Sequence, residues 1–305
     1  MYFIIGEKLN ECTMEELLNT SQQYVALLTS KQWEDQKSMF KMGIDFEPKT
    51  TDIHVTKAEE NYDSITGSFF IPNRKDIQGE ELKFAFALDE KGIVFIDDTE
   101  DCSKILKQIK IRKKWRLPSL ERFLYDFLNE IIINDFRIME RYEHELDDME
   151  DDIIKEGNEL TSHRVNEIRA DIRDLRNHYE QLLDLGEVFE ENENNFFREA
   201  NLRYFRLYVN RIERLRDTSN SIRDYTMQIR DVYKTYLDIK QNHIITILTM
   251  VTTVFTPLMF VVGWYGMNFK YMPELDYTIS YPIVFLSCIL ISVLVLVFFR
   301  RKKWL

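Results

Sequence analysis

The sequence predicts an α+β membrane protein: an N-terminal α/β sandwich, a long helical stalk and two C-terminal transmembrane helices. Three observations predict it. Residues 1 to about 115 carry short apolar runs separated by Gly and Asp/Asn turn signals. From Pro118 onward apolar residues recur at three- and four-residue steps with little relief, as in amphipathic helices. Near the end, Ile244–Trp264 and Tyr281–Phe299 hold no charged residue. At about 21 and about 19 residues, each is long enough to cross a hydrocarbon core of roughly 30 Å. The expected divisions are residues 1–116, 117–241 and 242–305.

Composition narrows the function classes. The chain has 305 residues, 45% hydrophobic and 30% charged, which supports a sizeable folded core. Its formal net charge of −12 argues against a nucleic-acid partner and for an acidic body that draws cations. Met1–Ile5 is broken by Gly6-Glu7-Lys8 and is too short for a signal peptide. Cys12, Cys102 and Cys288 form no metal-type pair and are expected as reduced structural thiols. There is no phosphate-cradling glycine loop, no His-Glu-x-x-His and no nucleophile elbow. His54, His144, His163, His178 and His243 are scattered. An enzyme is not expected.

Taken in order, Tyr2–Ile5 and Tyr24–Leu28 are expected as short strands around a helix opened by the capping box Thr13-Met14-Glu15-Glu16. A second helix is expected from Ser30 to Met42. Strands should follow at Asp52–Thr56, Ser64–Ile71, Leu82–Leu88 and Ile93–Ile96, with a closing helix from Asp101 to Ile109. The basic run Lys110-Ile111-Arg112-Lys113-Lys114-Trp115-Arg116 is expected as a solvated face linking two domains. A membrane-surface or cation-gating role is the alternative. Pro118 suits the first position of a helix, with Glu121 in its first turn. That apolar pattern runs to Ile154, and Gly157-Asn158 ends it.

Helix should resume near Thr161, with Val165, Ile168, Ile172, Leu175, Tyr179 and Leu182 on one face, and break over Glu187–Asn195. These two helices are expected to pair antiparallel beside a third. The third runs from Glu199 to Trp264, about 66 residues or roughly 100 Å. Neither Pro nor Gly interrupts it before Pro257. Ile222, Tyr225, Ile229, Val232, Tyr236 and Ile239 give it a coiled-coil-like seam, and a break near Thr218-Ser219-Asn220 is the alternative.

The first span is not uniformly apolar. Asn242, Ile245, Thr249, Thr252, Thr256, Met259 and Gly263 share one helical face, and four of those seven are Asn or Thr. Polar groups in lipid need partners, so this stripe is expected to face other helices or water. Ordinary helix–helix bonding, or bonding back to the preceding turn, is the alternative for the threonines. Arg300-Arg301-Lys302-Lys303 follows the second span, which places that end, both termini and the large domain in the cytoplasm. The loop with Lys270, Glu274 and Asp276 then faces outward. One copy of two spans cannot enclose an aqueous path, so a pore requires several copies around an axis.

Directly after the first span stands Tyr265-Gly266-Met267-Asn268-Phe269, and a little further Met272-Pro273-Glu274-Leu275. These strings, with a second span and a basic end behind them, resemble the CorA-type magnesium channels of the Gly-Met-Asn metal ion transporter superfamily. The motif part covers roughly the last 70 residues, and the rest agrees in architecture. The resemblance implies a homopentamer in the cell's cytoplasmic membrane, first spans inside and second spans outside, that imports Mg²⁺ or else Co²⁺ or Ni²⁺. It implies Gly266, Met267 and Asn268 as the selectivity filter. Asn268 would act on the metal through its hydration shell, since Mg²⁺ gives up water reluctantly. Thr249, Thr252 and Thr256 would line the pore with Asn242 and Gly263. Ile245 and Leu248 would form an apolar constriction that closes by dewetting. Gly266 is expected to permit a tight turn, and Glu274 and Asp276 to concentrate cations at the mouth.

The resemblance also implies closure when Mg²⁺ binds acidic sites between cytoplasmic domains, so Mg²⁺ is implied as regulator as well as cargo. One such acidic position falls here at Leu207, which cannot ligate a metal. Other acids are Glu213 and Asp217, Asp89, Asp97 and Asp98, and the run Glu145, Asp147, Asp148, Glu150, Asp151, Asp152, expected as a solvated helix face. A zinc transporter of the same superfamily is the alternative. That branch typically carries isoleucine where Met267 stands, which favours Mg²⁺. A membrane-anchored scaffold is the alternative from another class, and it predicts no polar stripe on the first span.

Overall fold

A computed structural model describes residues 1–44, 53–155 and 160–302. Seven strands form the N-terminal sheet: β1 (Tyr2–Ile5), β2 (Leu9–Cys12), β3 (Tyr24–Leu28), β4 (Lys57–Glu60), β5 (Ile65–Ile71), β6 (Leu82–Leu88) and β7 (Gly92–Ile96). Their spatial order is β2-β1-β3-β7-β6-β5-β4, antiparallel except at the β3–β7 pair. The helices are α1 (Met14–Asn19), α2 (Ser30–Phe40), α3 (Asp101–Arg112), α4 (Leu120–Ile131), α5 (Asp135–Lys155), α6 (Leu160–Glu191), α7 (Arg203–Tyr265) and α8 (Ser280–Arg301). The chain divides into two compact units. One holds Met1–Asp152 and the chain on to Arg230, and the other holds Asp231 onward with a short stretch from Ile153.

Strand alternation builds the core of the first unit, because successive side chains point to opposite faces. Tyr24, Ala26 and Leu28 of β3, Ala85 and Ala87 of β6, and Val94 and Ile96 of β7 cluster with Trp33 and Phe40 of α2. On the other face are rings. Phe127 of α4 stacks on Phe95 at 4.5 Å between centroids and meets Phe69 and Phe84 at 5.7 and 6.1 Å. Phe189 of α6 meets Phe86 at 6.2 Å. Such pairs contribute about 0.5–1.5 kcal/mol each beyond the area they bury. Gly67 is required among them: a Cβ there would lie 2.7 Å from the Phe86 ring and 2.1 Å from the Lys57 carbonyl oxygen.

The α+β order expected from sequence is the order found, with local differences that have physical causes. Strand β2 was not anticipated, since Leu9–Cys12 lacks a clean alternation. The expected strand at Asp52–Thr56 is not formed over Ile53–Thr56, and the edge strand is β4 instead. Thr56 takes a strand-like role with its side chain, its Oγ1 accepting from the Phe70 N–H and donating to the Phe70 carbonyl. Asp52, Gly157-Asn158 and Lys303 lie outside the described residues. Pro118 is not the first helical residue. Ser119 is the N-cap, its Oγ accepting from the Arg122 N–H at 3.2 Å.

The helix expected to run from Pro118 to Ile154 is two helices, α4 and α5, with a turn at Ile132–Asn134. The basic run is not a free solvated face. α3 takes in Lys110–Arg112, Arg112 pairs with Glu130 at 3.3 Å, and Lys113 Nζ and Trp115 Nε1 both reach the buried Asp126 carboxylate. α6 continues through Glu187 and stops at Asn192, which takes left-handed backbone (φ 50°) and clamps Phe197 through both its side-chain amide atoms. α7 is continuous through Thr218-Ser219-Asn220. Its buried residues Phe205, Tyr208, Ile212, Leu215, Ser219, Ile222, Thr226 and Ile229 step by three and four, so the seam passes through Thr226 and not Tyr225. Ile239 is exposed.

The α4–α5 turn exists to deliver Asp135 to the interior. Its carboxylate is fully buried and takes a two-pronged bond from Arg74, Nε at 2.7 Å and Nη2 at 2.8 Å, with the Tyr179 hydroxyl at 3.2 Å. Burial pushes the Asp135 carboxyl above its usual range, while Arg74 and then Tyr179 pull it back. Removing one partner of a buried pair strands the other charge at a cost of about 3–5 kcal/mol. Arg74→Ala should therefore lower the unfolding temperature of the purified chain sharply at neutral pH. Without Arg74 the folded-state pKa of Asp135 rises further, so the penalty grows as pH rises through the already raised range of wild-type Asp135 and shrinks as pH falls below it. Melts by circular dichroism at several pH values check both the size and this sign.

Candidate functional site

The sequence-predicted site residues lie on the last third of α7 and in the loop before α8. No residue of the most apolar stretch of α7 is buried, and very little of the corresponding stretch of α8 is. Both helices are long and apolar enough to cross a membrane. Asn242, Thr249, Thr252, Thr256 and Gly263 are exposed on α7, as are Ile245 and Leu248. A Cβ built on Gly263 would meet nothing within 4 Å.

The threonines bond to their own helix. The hydroxyls of Thr249, Thr252 and Thr256 donate to the carbonyls of Ile245, Leu248 and Thr252 at 2.7–2.8 Å. Thr246 and Thr253 do the same toward Asn242 and Thr249. A hydroxyl has one proton and two lone pairs, so each outward-facing Oγ1 is left as an acceptor. Pro257, inside the helix, has no N–H for the Thr253 carbonyl. Thr246, Thr253 and this carbonyl extend the set of acceptors beyond the predicted stripe. The sequence signal for them was present in the four-residue threonine spacing and the lone proline.

α7 ends at Tyr265, and the Gly-Met-Asn string forms the turn. Gly266 N–H donates to the Val262 carbonyl at 2.9 Å, Met267 N–H to Trp264 at 3.4 Å, and Phe269 N–H to Met267 at 3.1 Å. Gly266 lies in the turn, as expected, and its backbone contacts are close. Gly266 is not in the left-handed region; a Cβ there would sit 3.1 Å from the Val262 carbonyl oxygen, closer than the helix end readily allows. Asn268 is exposed. Glu274 and Asp276 lie in an exposed 3-10 turn, Pro273–Asp276, in the same loop.

Most of the acids considered for regulation are engaged elsewhere or exposed, and Glu213 is half-buried on α7. Leu207 is exposed on α7. Asp89 accepts from the N–H groups of Lys91 and Gly92, and Asp97 from those of Thr99 and Cys102. Glu145 pairs with Arg164. Asp147 and Glu150 flank the Tyr225 hydroxyl at 2.7 and 2.8 Å, so the acidic run is not wholly a solvated face. Burial, then these carboxylates, push the Tyr225 hydroxyl up. Among the described residues, no three His, Cys, Asp or Glu are grouped to hold a metal.

Set against known proteins, residues 29–301 match the family described as CorA-like Mg²⁺ transporter protein. The chain belongs to the CorA family. Among CorA relatives, the cobalt/magnesium transport protein CorA of Thermotoga maritima is 29% identical over 195 residues, 64% of this chain and 54% of that protein. The aligned stretch thus spans little more than half of that relative. The magnesium transport protein CorA of Escherichia coli is 41% identical over 70 residues, 23% of this chain and 22% of that protein. The complete structure of the CorA magnesium transporter from Methanocaldococcus jannaschii superposes with a TM-score of 0.76 at 19% identity, covering 100% of this chain and 98% of that one. The ZntB cytoplasmic domain from Vibrio parahaemolyticus gives 0.55 at 13% identity, covering 78% and 99%. Both likenesses are of fold.

Proposed function

We propose that this CorA-family chain is one subunit of a homo-oligomeric channel, by resemblance a pentamer, that imports Mg²⁺ across the cytoplasmic membrane. The observation that carries the proposal is the acceptor-only stripe on α7, which ends at the turn holding Asn268. Water bound to Mg²⁺ points its hydrogens outward, and the ion holds that shell tightly in octahedral geometry. A wall of Thr oxygens accepts from those hydrogens and leaves the shell in place. At the outer mouth the neutral Asn268 amide oxygens, repeated around the ring, would capture the hydrated ion without the grip of a carboxylate. Gly266 and Met267 shape that turn, and Glu274 and Asp276 would raise the local cation concentration. Co²⁺ and Ni²⁺ are further cargo of the same architecture.

Zinc transport remains the second reading. The likeness to the ZntB domain is one of fold and does not favour it, whereas Met267 in the turn favours Mg²⁺. Lipid would cover the outer faces of α7 and α8, which find no cover in a single chain.

At the inner half of the span, Ile245 and Leu248 would meet on the axis and expel water from a short length of pore. A hydrated ion cannot cross such a segment, so opening must widen it through the long helix α7. In liposomes the wild type should take up Mg²⁺ and be silenced by internal Mg²⁺. Leu248→Asn and Ile245→Asn should keep flux at least about tenfold above the silenced wild type, the usual size of a coupling between sites. Equal inhibition of these variants, with Ile247→Asn as the lipid-facing control, would place the gate elsewhere.

Orientation follows from the basic cluster beginning at Arg300. A cysteine replacing Thr278 should be labelled from outside intact cells by an impermeant maleimide, and one added after Leu305 should not. The reverse pattern would overturn the import direction.

A further inference from the structure

The N-terminal unit of this acidic chain contains a cavity in which the sign of the charge is reversed. It has a volume of about 980 Å³ and opens where the α1–β3 turn, the end of α2, the β6–β7 turn and the segment before α7 meet. Lys41, Lys91 and Arg198 line it, against one carboxylate, Glu90. None of the three cations makes an ion pair with a described residue. Three cations around one space favour an anion there, and they stand out in a chain of net charge −12.

The cavity is preformed, because each cation stands on backbone that is tied down. Lys41 is the left-handed C-cap of α2 (φ 53°, ψ 29°). Lys91 donates its N–H to the buried Asp89 at 2.8 Å, and its carbonyl accepts from the Tyr24 N–H at 3.1 Å. The Arg198 N–H donates to Glu121 at 2.8 Å. Gln23 stitches the walls together, its Nε2 donating to the Glu90 carbonyl and its Oε1 accepting from the Leu120 N–H. A site already ordered before binding avoids most of the entropy of organising it.

The remaining lining gives the ligand's other half. Leu18 and Met39 are nearly half exposed into solvent, and Phe196 lies on the same cavity, an apolar wall beside the cations. Thr20, Ser21 and Gln22 add hydroxyl and amide groups between them. The volume is at the upper end of the range for small-molecule sites, about 300–1,000 Å³. We propose that this cavity binds a nucleoside polyphosphate, its phosphates on Lys41, Lys91 and Arg198 and its base against Leu18, Met39 and Phe196. The assignment is one of binding and is independent of the ion pathway.

The test is calorimetric titration of ATP into the full-length protein in detergent, without divalent cations so that metal chelation cannot mimic binding. Inorganic triphosphate is titrated in parallel. Wild type should bind ATP saturably, one per chain, and more tightly than triphosphate. Lys91→Glu with Arg198→Glu, both on exposed side chains, should leave the unfolding temperature unchanged and weaken ATP at least about tenfold, as loss of charge-assisted bonds does. Leu18→Asn, which removes the apolar contact without adding charge, should weaken ATP and leave triphosphate unaffected. No saturable ATP binding, unchanged affinity in the doubly reversed variant, or triphosphate binding as tight as ATP would each overturn the proposal.

Discussion

The threonine hydroxyls in the apolar part of α7 all have their protons on their own helix, and that bond decides what the helix can do. Thr246, Thr249, Thr252, Thr253 and Thr256 each donate four residues back, at 2.7–2.8 Å. What they present outward is acceptor only. Identical copies of α7 brought together would then set acceptor against acceptor, and no hydroxyl-to-hydroxyl bond forms without breaking one inside a helix. In a bilayer an unmatched acceptor is costly. The partner that resolves the mismatch is one that brings donors, and the water shell of a cation does so on every side. Pro257 adds to the same span the Thr253 carbonyl, which it has no N–H to meet.

The first unit is built differently, with several of its buried polar groups met by partners inside it. Asp135 is met by Arg74 and Tyr179, Asp126 by Lys113 and Trp115, and Asn192 by the Phe197 backbone. Ring packing between β5–β7 and α4 holds the sheet against those helices. α7 belongs to this packing through an apolar seam that carries two hydroxyl layers, Ser219 and Thr226, each bonded to its own helix three residues back. One continuous helix therefore carries both the packed seam and the exposed stripe.

Much of this was legible in the sequence because it depends on local chemistry. The capping box at Thr13 and Glu16, the strands β5 to β7 and the length of α7 follow from propensity and periodicity over neighbouring residues. The misses depend on partners far away in the chain. Nothing local marks Asp135 as the start of a new helix until Arg74, 61 residues earlier, is seen to need it. The basic run before Pro118 reads as solvated until Asp126 and Glu130 are placed beside it. The Tyr225 seam position shifts to Thr226 because packing against the unit, not hydrophobicity, selects the buried face. At the turn, a Cβ on Gly266 would crowd the Val262 carbonyl, a contact that the string of residues does not reveal.

The proposed ion pathway rests on Asn268, the amide that follows the stripe just beyond the C-terminal end of α7. The most direct test is Mg²⁺ flux into liposomes carrying Asn268→Ala, beside wild type, with oligomer size checked by size-exclusion chromatography. Loss of nearly all flux in a variant that assembles at the wild-type size is the expected result. Flux close to wild type in a correctly assembled Asn268→Ala protein would contradict it.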